Sequence, residues 1–175
     1  MRRFISGLFL LLLLSGCRST KSAAPASTDT PAPPTFTPQP PCSADVTPDF
    51  EDYASWTKVN PKPIPGHETY VNIYVDDSAK DIYLAASGET FPTCARIVKT
   101  HLEGADSETI TAITVMVKMP AGYDPQHNDW WWGMFDKDGK VAEMSGKVPV
   151  CIACHQPVAA ADYVFSKKVI EESDQ

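Results

Sequence analysis

The sequence predicts a mainly β (α+β) fold, an antiparallel sheet with short flanking helices. Three observations predict it. In "ETYVNIYVDD", Tyr70, Asn72 and Tyr74 alternate with Val71, Ile73 and Val75, the two-residue period of a strand. Three further runs, "ARIVKTHL" (95–102), "TITAITVMVK" (109–118) and "DWWWGMFD" (129–136), are rich in β-branched and aromatic residues and set apart by Gly, Pro and Asp. Helical spacing is confined to short stretches.

In chain order, Phe50, Tyr53 and Trp56 in "DFEDYASW" have helical spacing and predict a short helix over 49–56. "NPKPIPG" (60–66) reads as a rigid loop, because each proline fixes its own φ. "DSAKDIYLAAS" (77–87) predicts a helix capped by Asp77 or Ser78, with Ile82, Leu84 and Ala85 inside. "DKDG" (136–139) is a hairpin turn into "KVAEM". The tail "AAADYVFSKKVIEES" is amphipathic and partly helical. No internal repeat is visible.

Ahead of the domain, Met1-Arg2-Arg3 and an apolar run to Leu14 describe a secretory signal, too short to span a bilayer comfortably. Leu14-Ser15-Gly16-Cys17 resembles the lipobox of bacterial lipoproteins. That implies a signal peptide over 1–16 and a lipid anchor on Cys17. Residues 17–45, with "APASTDTPAPPTFTPQPP", hold almost no large apolar side chains and read as an extended tether. The folded domain is then 46–175. Such a chain faces the periplasm of a bacterial envelope. Arg18 after the lipid cysteine is not an acidic retention residue, which favours the outer membrane over the inner.

The formal charge of −7 becomes two units more negative once Arg2 and Arg3 leave with the signal. This acidity argues against nucleic acid and against electrostatic membrane binding. Membrane contact is expected through the lipid alone.

Five cysteines remain to be accounted for. With Cys17 on lipid, Cys151 and Cys154 fall in "VPVCIACHQPVAAADYVF" (148–165), and Cys42 and Cys94 are left over. In an oxidising compartment that leftover pair either forms a disulfide stapling the tether's end to the domain, or stays as two thiols.

Cys151-Ile152-Ala153-Cys154-His155 admits three chemistries. Structural zinc needs four ligands, commonly two close pairs, and no second pair stands at zinc spacing. A redox dithiol belongs at a strand-to-helix junction of a βαβ unit, which the pattern lacks. C-x-x-C-H is the c-type haem attachment signature, and it alone explains the histidine after the second cysteine. Both thiols would join the haem vinyl groups, and His155 would ligate iron. One such motif predicts one covalent haem c, on a haem-attachment helix or loop after the last strand. No sixth ligand is signalled. His67, His101, His127, Met116, Met119, Met134 and Met144 each read as surface or core. With none, the iron is open to a small molecule.

Trp130, Trp131 and Trp132 are consecutive, so a strand turns them to both faces. Core or haem would cover one face, and a helix or partner subunit the other. Lys99 shares a face with Ala95 and Ile97, so it either snorkels outward or has a task there.

The order "FPTCARIVKTH" (91–101), "VMVKMPAGYDPQHNDWWWGMFDKDG" (115–139) and "CIACH…DYVF" (151–165) resembles the cytochrome P-460 family, whose relatives include the beta-type cytochromes c′. The resemblance spans most of residues 50–170. It implies a largely β fold, often a homodimer, with one haem c, a histidine below iron and an open upper face. In members that oxidise hydroxylamine, a strand lysine bonds to the haem ring, and the matching position is Lys99. Where the family usually has Gly-Thr after Phe-Pro, this chain has Cys94-Ala95, which suits a local disulfide. The hydroxylamine oxidisers also place a carboxylate in the upper pocket, on the 110–118 strand near Thr114, where this chain has no acid. A base within reach of substrate supplies the proton path for such an oxidation. Without it, the pocket favours nitric oxide or a related small nitrogen species. The alternatives are a hydroxylamine oxidoreductase with a Lys99–haem cross-link, handing electrons to a redox partner protein; a simple electron-transfer cytochrome; and a haem-free structural lipoprotein.

Overall fold

The computed structural model describes residues 42–43 and 48–173. The signal peptide, Cys17 and the tether up to Pro41 lie outside the described residues. Among the described residues no helix is long and apolar enough to cross a membrane.

Seven strands form one antiparallel sheet: β1 (Thr57–Lys58), β2 (Ile64–Gly66), β3 (Thr69–Val75), β4 (Arg96–Leu102), β5 (Ile110–Lys118), β6 (Trp130–Asp136) and β7 (Ala142–Gly146). The order is β1-β3-β4-β5-β6-β7, with β2 pairing β3 further along the same edge. Helix α1 (Asp77–Ala85) joins β3 to β4, α2 (Pro149–His155) follows β7 at once, and α3 (Ser166–Ser173) ends the described chain.

The alternation in β3 to β6 divides the core in two. On one face Val71, Ile73, Val75, Ile97, Met116, Trp130 and Trp132 pack with Tyr83 of α1, Ile152 of α2 and Val169 of α3. On the other, Val98, Val115, Val117, Trp131 and Phe135 pack with Phe50. The three tryptophans are thus covered on both faces within the chain. Gly133 is required there, because a Cβ would stand 2.6 Å from the Trp131 ring and 2.7 Å from Phe135.

The helix expected over 49–56 is a single 3-10 turn, Tyr53–Ser55. Its aromatic residues pack against the sheet instead of along a helix face. Phe50 lies 4.7 Å from Phe135, Tyr53 lies 5.3 Å from Tyr74, and Arg96 lies 4.4 Å over the Trp56 ring. The loop expected over 60–66 ends as β2, because Ile64 is buried and pairs with Val71. Pro65 is tolerated on this short edge strand, where a missing N–H costs little. Helix α1 is capped by Asp76, not Asp77 or Ser78, through its side chain and the Ala79 amide at 3.0 Å. Its buried residues are Ala79 and Tyr83, one turn apart, whereas Leu84 is 40% exposed. After Asp136 the chain turns at Gly139 (φ +70), and β7 begins at Ala142.

Cys42 and Cys94 are joined by a disulfide with a Cα–Cα distance of 5.4 Å. It fixes the start of the described chain beside the entry to β4.

Candidate haem centre

The site lies where α2 meets the helix-bearing face of the sheet. The short link after β7 forces the chain straight into α2, with Pro149 in its first turn, where a missing N–H is harmless. The helix puts Cys151 and Cys154 one turn apart on neighbouring faces, both as thiols, and His155 at its last position.

His155 is 3% exposed and its ring is fixed. Its Nδ1 donates to the Tyr163 carbonyl oxygen at 2.7 Å, which leaves Nε2 unprotonated and free to ligate. Trp132 and Phe165 flank the ring, with centroids at 4.8 and 5.1 Å. The Tyr163 carbonyl is aimed by two successive left-handed residues, Asp162 (φ +53) and Tyr163 (φ +61), an uncommon backbone for such side chains. The Asp162 carboxylate anchors that turn. It accepts from Lys118 Nζ at 2.6 Å, the Phe91 amide at 2.8 Å and Asn128 at 2.9 Å, while its carbonyl accepts from Trp130 Nε1 at 2.7 Å.

Strand register orders the wall above His155. Ile97, Met116 and Trp132 form one row across β4, β5 and β6; Ile73, Lys99, Thr114 and Met134 the next; Val71, His101, Ala112 and Asp136 the one beyond. Two cavities, of about 20 and 180 Å³, share His67, Lys99 and His155 as lining. The smaller reaches Thr114, Met116, Trp132 and Cys151. The larger reaches Gly66, Cys154, Phe165 and Lys168.

The electrostatics follow from burial. Desolvation pulls the Lys99 ammonium down to about 8, partly opposed by the Cys154 and Cys151 thiols. Desolvation also lowers His155 to about 4, with Lys99 acting in the same direction and the Tyr163 bond against it. His101 falls to about 4, through burial and then Lys99. His67 falls to about 3, through burial and then Lys99, His101 and His155. All three imidazoles are therefore neutral near pH 7. Burial raises the Cys151 thiol.

The site brings together Cys151, Cys154, His155 and Lys99. The disulfide lies outside it. Lys99, half-buried, lines both cavities, one shared with Cys151 and the other with Cys154. Of the possible sixth ligands, His67 and Met116 line the cavities. His101 stands behind them, its ring 5.0 Å from His67 and its Nε2 3.0 Å from Thr114 Oγ1. Met119 belongs to the opposite core, and His127 is paired with Asp124 at 2.8 Å.

A sequence model of the cytochrome P-460 family matches residues 50–166, two-thirds of the chain. The chain belongs to the cytochrome P-460 family. That family binds haem c, and the protein is a cytochrome. Comparison with curated proteins gives no match. The residues fit the group: two thiols a turn apart, an imidazole with Nε2 free, and two cavities that this imidazole lines. A further sign is Trp132 Nε1, buried and without a hydrogen-bond acceptor among the described residues. A buried N–H left this way costs about 1–3 kcal/mol, and an acceptor on a bound group relieves it.

Proposed function

We propose that this chain is a lipid-anchored, periplasm-facing cytochrome with one haem, held covalently by Cys151 and Cys154 and ligated through His155, that binds or redox-processes small nitrogen species such as nitric oxide. The observation carrying this reading is the wall around Lys99. The smaller cavity is lined by Ile97, Val115, Met116 and Trp132, with Thr114 at the position expected for a carboxylate, and none of its described lining residues is acidic. Such a wall favours a small neutral ligand and offers no carboxylate base for an oxidation that sheds protons, its titratable lining being Lys99, His67, His155 and the Cys151 thiol.

Haem would supply a redox-active iron with an open site for a small ligand. The protein does the rest. The Tyr163 carbonyl keeps a proton on His155 Nδ1 and raises the ligand's basicity. Trp132 and Phe165 hold the imidazole plane and exclude water from its flanks. Anchoring at Cys17 keeps the domain at the membrane, outer in preference to inner, within reach of a redox partner protein. The test is titration of the ferrous, haem-loaded protein with nitric oxide. Stoichiometric conversion to a nitrosyl spectrum supports the reading, and no spectral change rejects it.

A second reading, hydroxylamine oxidation with a Lys99–haem cross-link, is favoured by one observation. Lys99 lines both cavities with its pKa lowered to about 8, so roughly a tenth is free amine at pH 7, far more than for an ordinary lysine. His101, bonded to Thr114, would then stand in for the missing carboxylate. Mass analysis of the Lys99 peptide and turnover of hydroxylamine with an artificial acceptor separate the two readings.

A further inference from the structure

Of the three consecutive tryptophans of β6, one keeps a buried N–H with nothing to bind. Trp130 Nε1 donates to the Asp162 carbonyl at 2.7 Å, and Trp131 turns to the opposite core. Trp132 is 2% exposed, packs on the helix-bearing face, and its Nε1 has no acceptor among the described residues. Native interiors rarely leave a donor this way, and a phenylalanine would fill much of the same space without one.

Trp132 lines the smaller cavity together with Lys99, Cys151 and His155. Lys99 is half-buried there and forms no ion pair among the described residues. None of the described lining residues is acidic. A cation without an anion and an N–H without an acceptor, bordering one space, are the complement of a carboxylate.

Haem brings acceptors of few kinds. Its pyrrole nitrogens are committed to iron, and thioether sulfurs accept weakly. Its propionate carboxylates remain. A ligand on the iron is not the acceptor, because the Trp132 ring lies edge-to-face with His155 at 4.8 Å between centroids. That contact puts Trp132 on the imidazole side of the haem, away from the open face. Trp132 also shares its cavity with Cys151, whereas Cys154 borders the other cavity. Around a haem each vinyl-bearing pyrrole neighbours one propionate-bearing pyrrole. The propionate on the Trp132 side is therefore the one beside the pyrrole that Cys151 would hold.

We propose that Trp132 Nε1 donates a hydrogen bond to a haem propionate, the one next to the pyrrole joined to Cys151. The proposal rests on the haem reading of Cys151, Cys154 and His155, and goes beyond it by assigning a cofactor-binding residue outside the attachment motif.

The test uses the full-length, haem-loaded protein, with haem on the Cys151–Cys154 peptide first verified by mass. Wild type, Trp132→Phe and Trp131→Phe are compared by resonance Raman spectroscopy, as the ferrous protein and as its nitric oxide complex. The propionate bending band reports hydrogen bonding to the carboxylate, and the nitrosyl bands report groups facing a bound ligand. Trp132→Phe should shift the propionate band and leave the nitrosyl bands in place. Trp131→Phe, whose ring lies in the opposite core, should match wild type in both. Trp132→Phe keeps an aromatic ring against His155, so the shift reads the lost N–H rather than lost packing. A propionate band identical in Trp132→Phe and wild type overturns the proposal. So does a shift confined to the nitrosyl bands, which would give Trp132 to the bound ligand. Should Trp132→Phe fail to take up haem, a crystal structure of the haem-loaded wild type decides. A propionate oxygen within roughly 3.2 Å of Trp132 Nε1 upholds the proposal, and a water or no acceptor there overturns it. A peptide without haem removes the haem reading and this one together, whereas an unshifted propionate band on a haem-bearing protein removes this one only.

Discussion

Lys118 Nζ lies 2.6 and 2.7 Å from the two carboxylate oxygens of Asp162, inside the core and 44 residues away along the chain. The pair ties β5 to the turn that follows α2. Asp162 precedes Tyr163, whose carbonyl fixes His155, so this ion pair positions the imidazole proposed to hold the haem iron as well as closing the core.

Removing one partner therefore has a large effect. Asp162→Ala leaves Lys118 unpaired and strips acceptors from Phe91 N and Asn128. It should lose about 3–5 kcal/mol in urea unfolding. Lys118→Met with Asp162→Leu should lose less than either single change, because no charge is then stranded. Equal or greater loss in the double variant would contradict this account.

The staple between Cys42 and Cys94 closes a long loop. Cys42→Ser with Cys94→Ser should cost about 2–5 kcal/mol, with the domain still folded. The comparison is of denaturant midpoints with and without the disulfide. An unchanged midpoint would mean that the link constrains nothing in the unfolded chain.

His101 predicts an acid sensitivity with a definite sign. Its pKa is about 4 in the fold, against about 6.5 when unfolded, so the unfolded chain binds the extra proton between these values. Its contribution is complete above pH 6.5 and is lost as pH falls towards 4, by up to about 3 kcal/mol. His101→Gln should flatten stability against pH across this window. A parallel curve for wild type and variant would contradict the assignment.

Lys99 separates the two functional readings. Under the first, Lys99→Met leaves a c-type ferrous spectrum unchanged, and the wild-type Lys99 peptide has its unmodified mass. Under the second, wild type shows a strongly red-shifted ferrous Soret band, and the variant loses it together with hydroxylamine turnover.

The central strands were legible because their alternation survives folding: Val71, Ile73 and Val75 face the helices, as does Lys99 with Ile97. Cys-x-x-Cys-His stood out because its pattern is local, and the fold carries Cys151, Cys154 and His155 on the single short helix α2. What stayed hidden depends on distant partners. Phe50, Tyr53 and Trp56 kept a helical spacing, yet each found its partner on the sheet or Arg96. Asp76 took the cap from Asp77 and Ser78 by one residue. Asp162 carries no sign of a lysine 44 residues earlier. His67, weighed in the sequence and read as surface or core, lines both cavities beside His155, and its tight turn has neither Asn nor Gly at its centre to mark it.

The most direct test of the account is mass analysis of the peptide spanning 148–165 from protein matured in a host that attaches c-type haem. The account predicts one haem, carried on both Cys151 and Cys154 and resistant to acidic organic extraction. Two free thiols that alkylate without reductant, on a protein that folds normally, would contradict it.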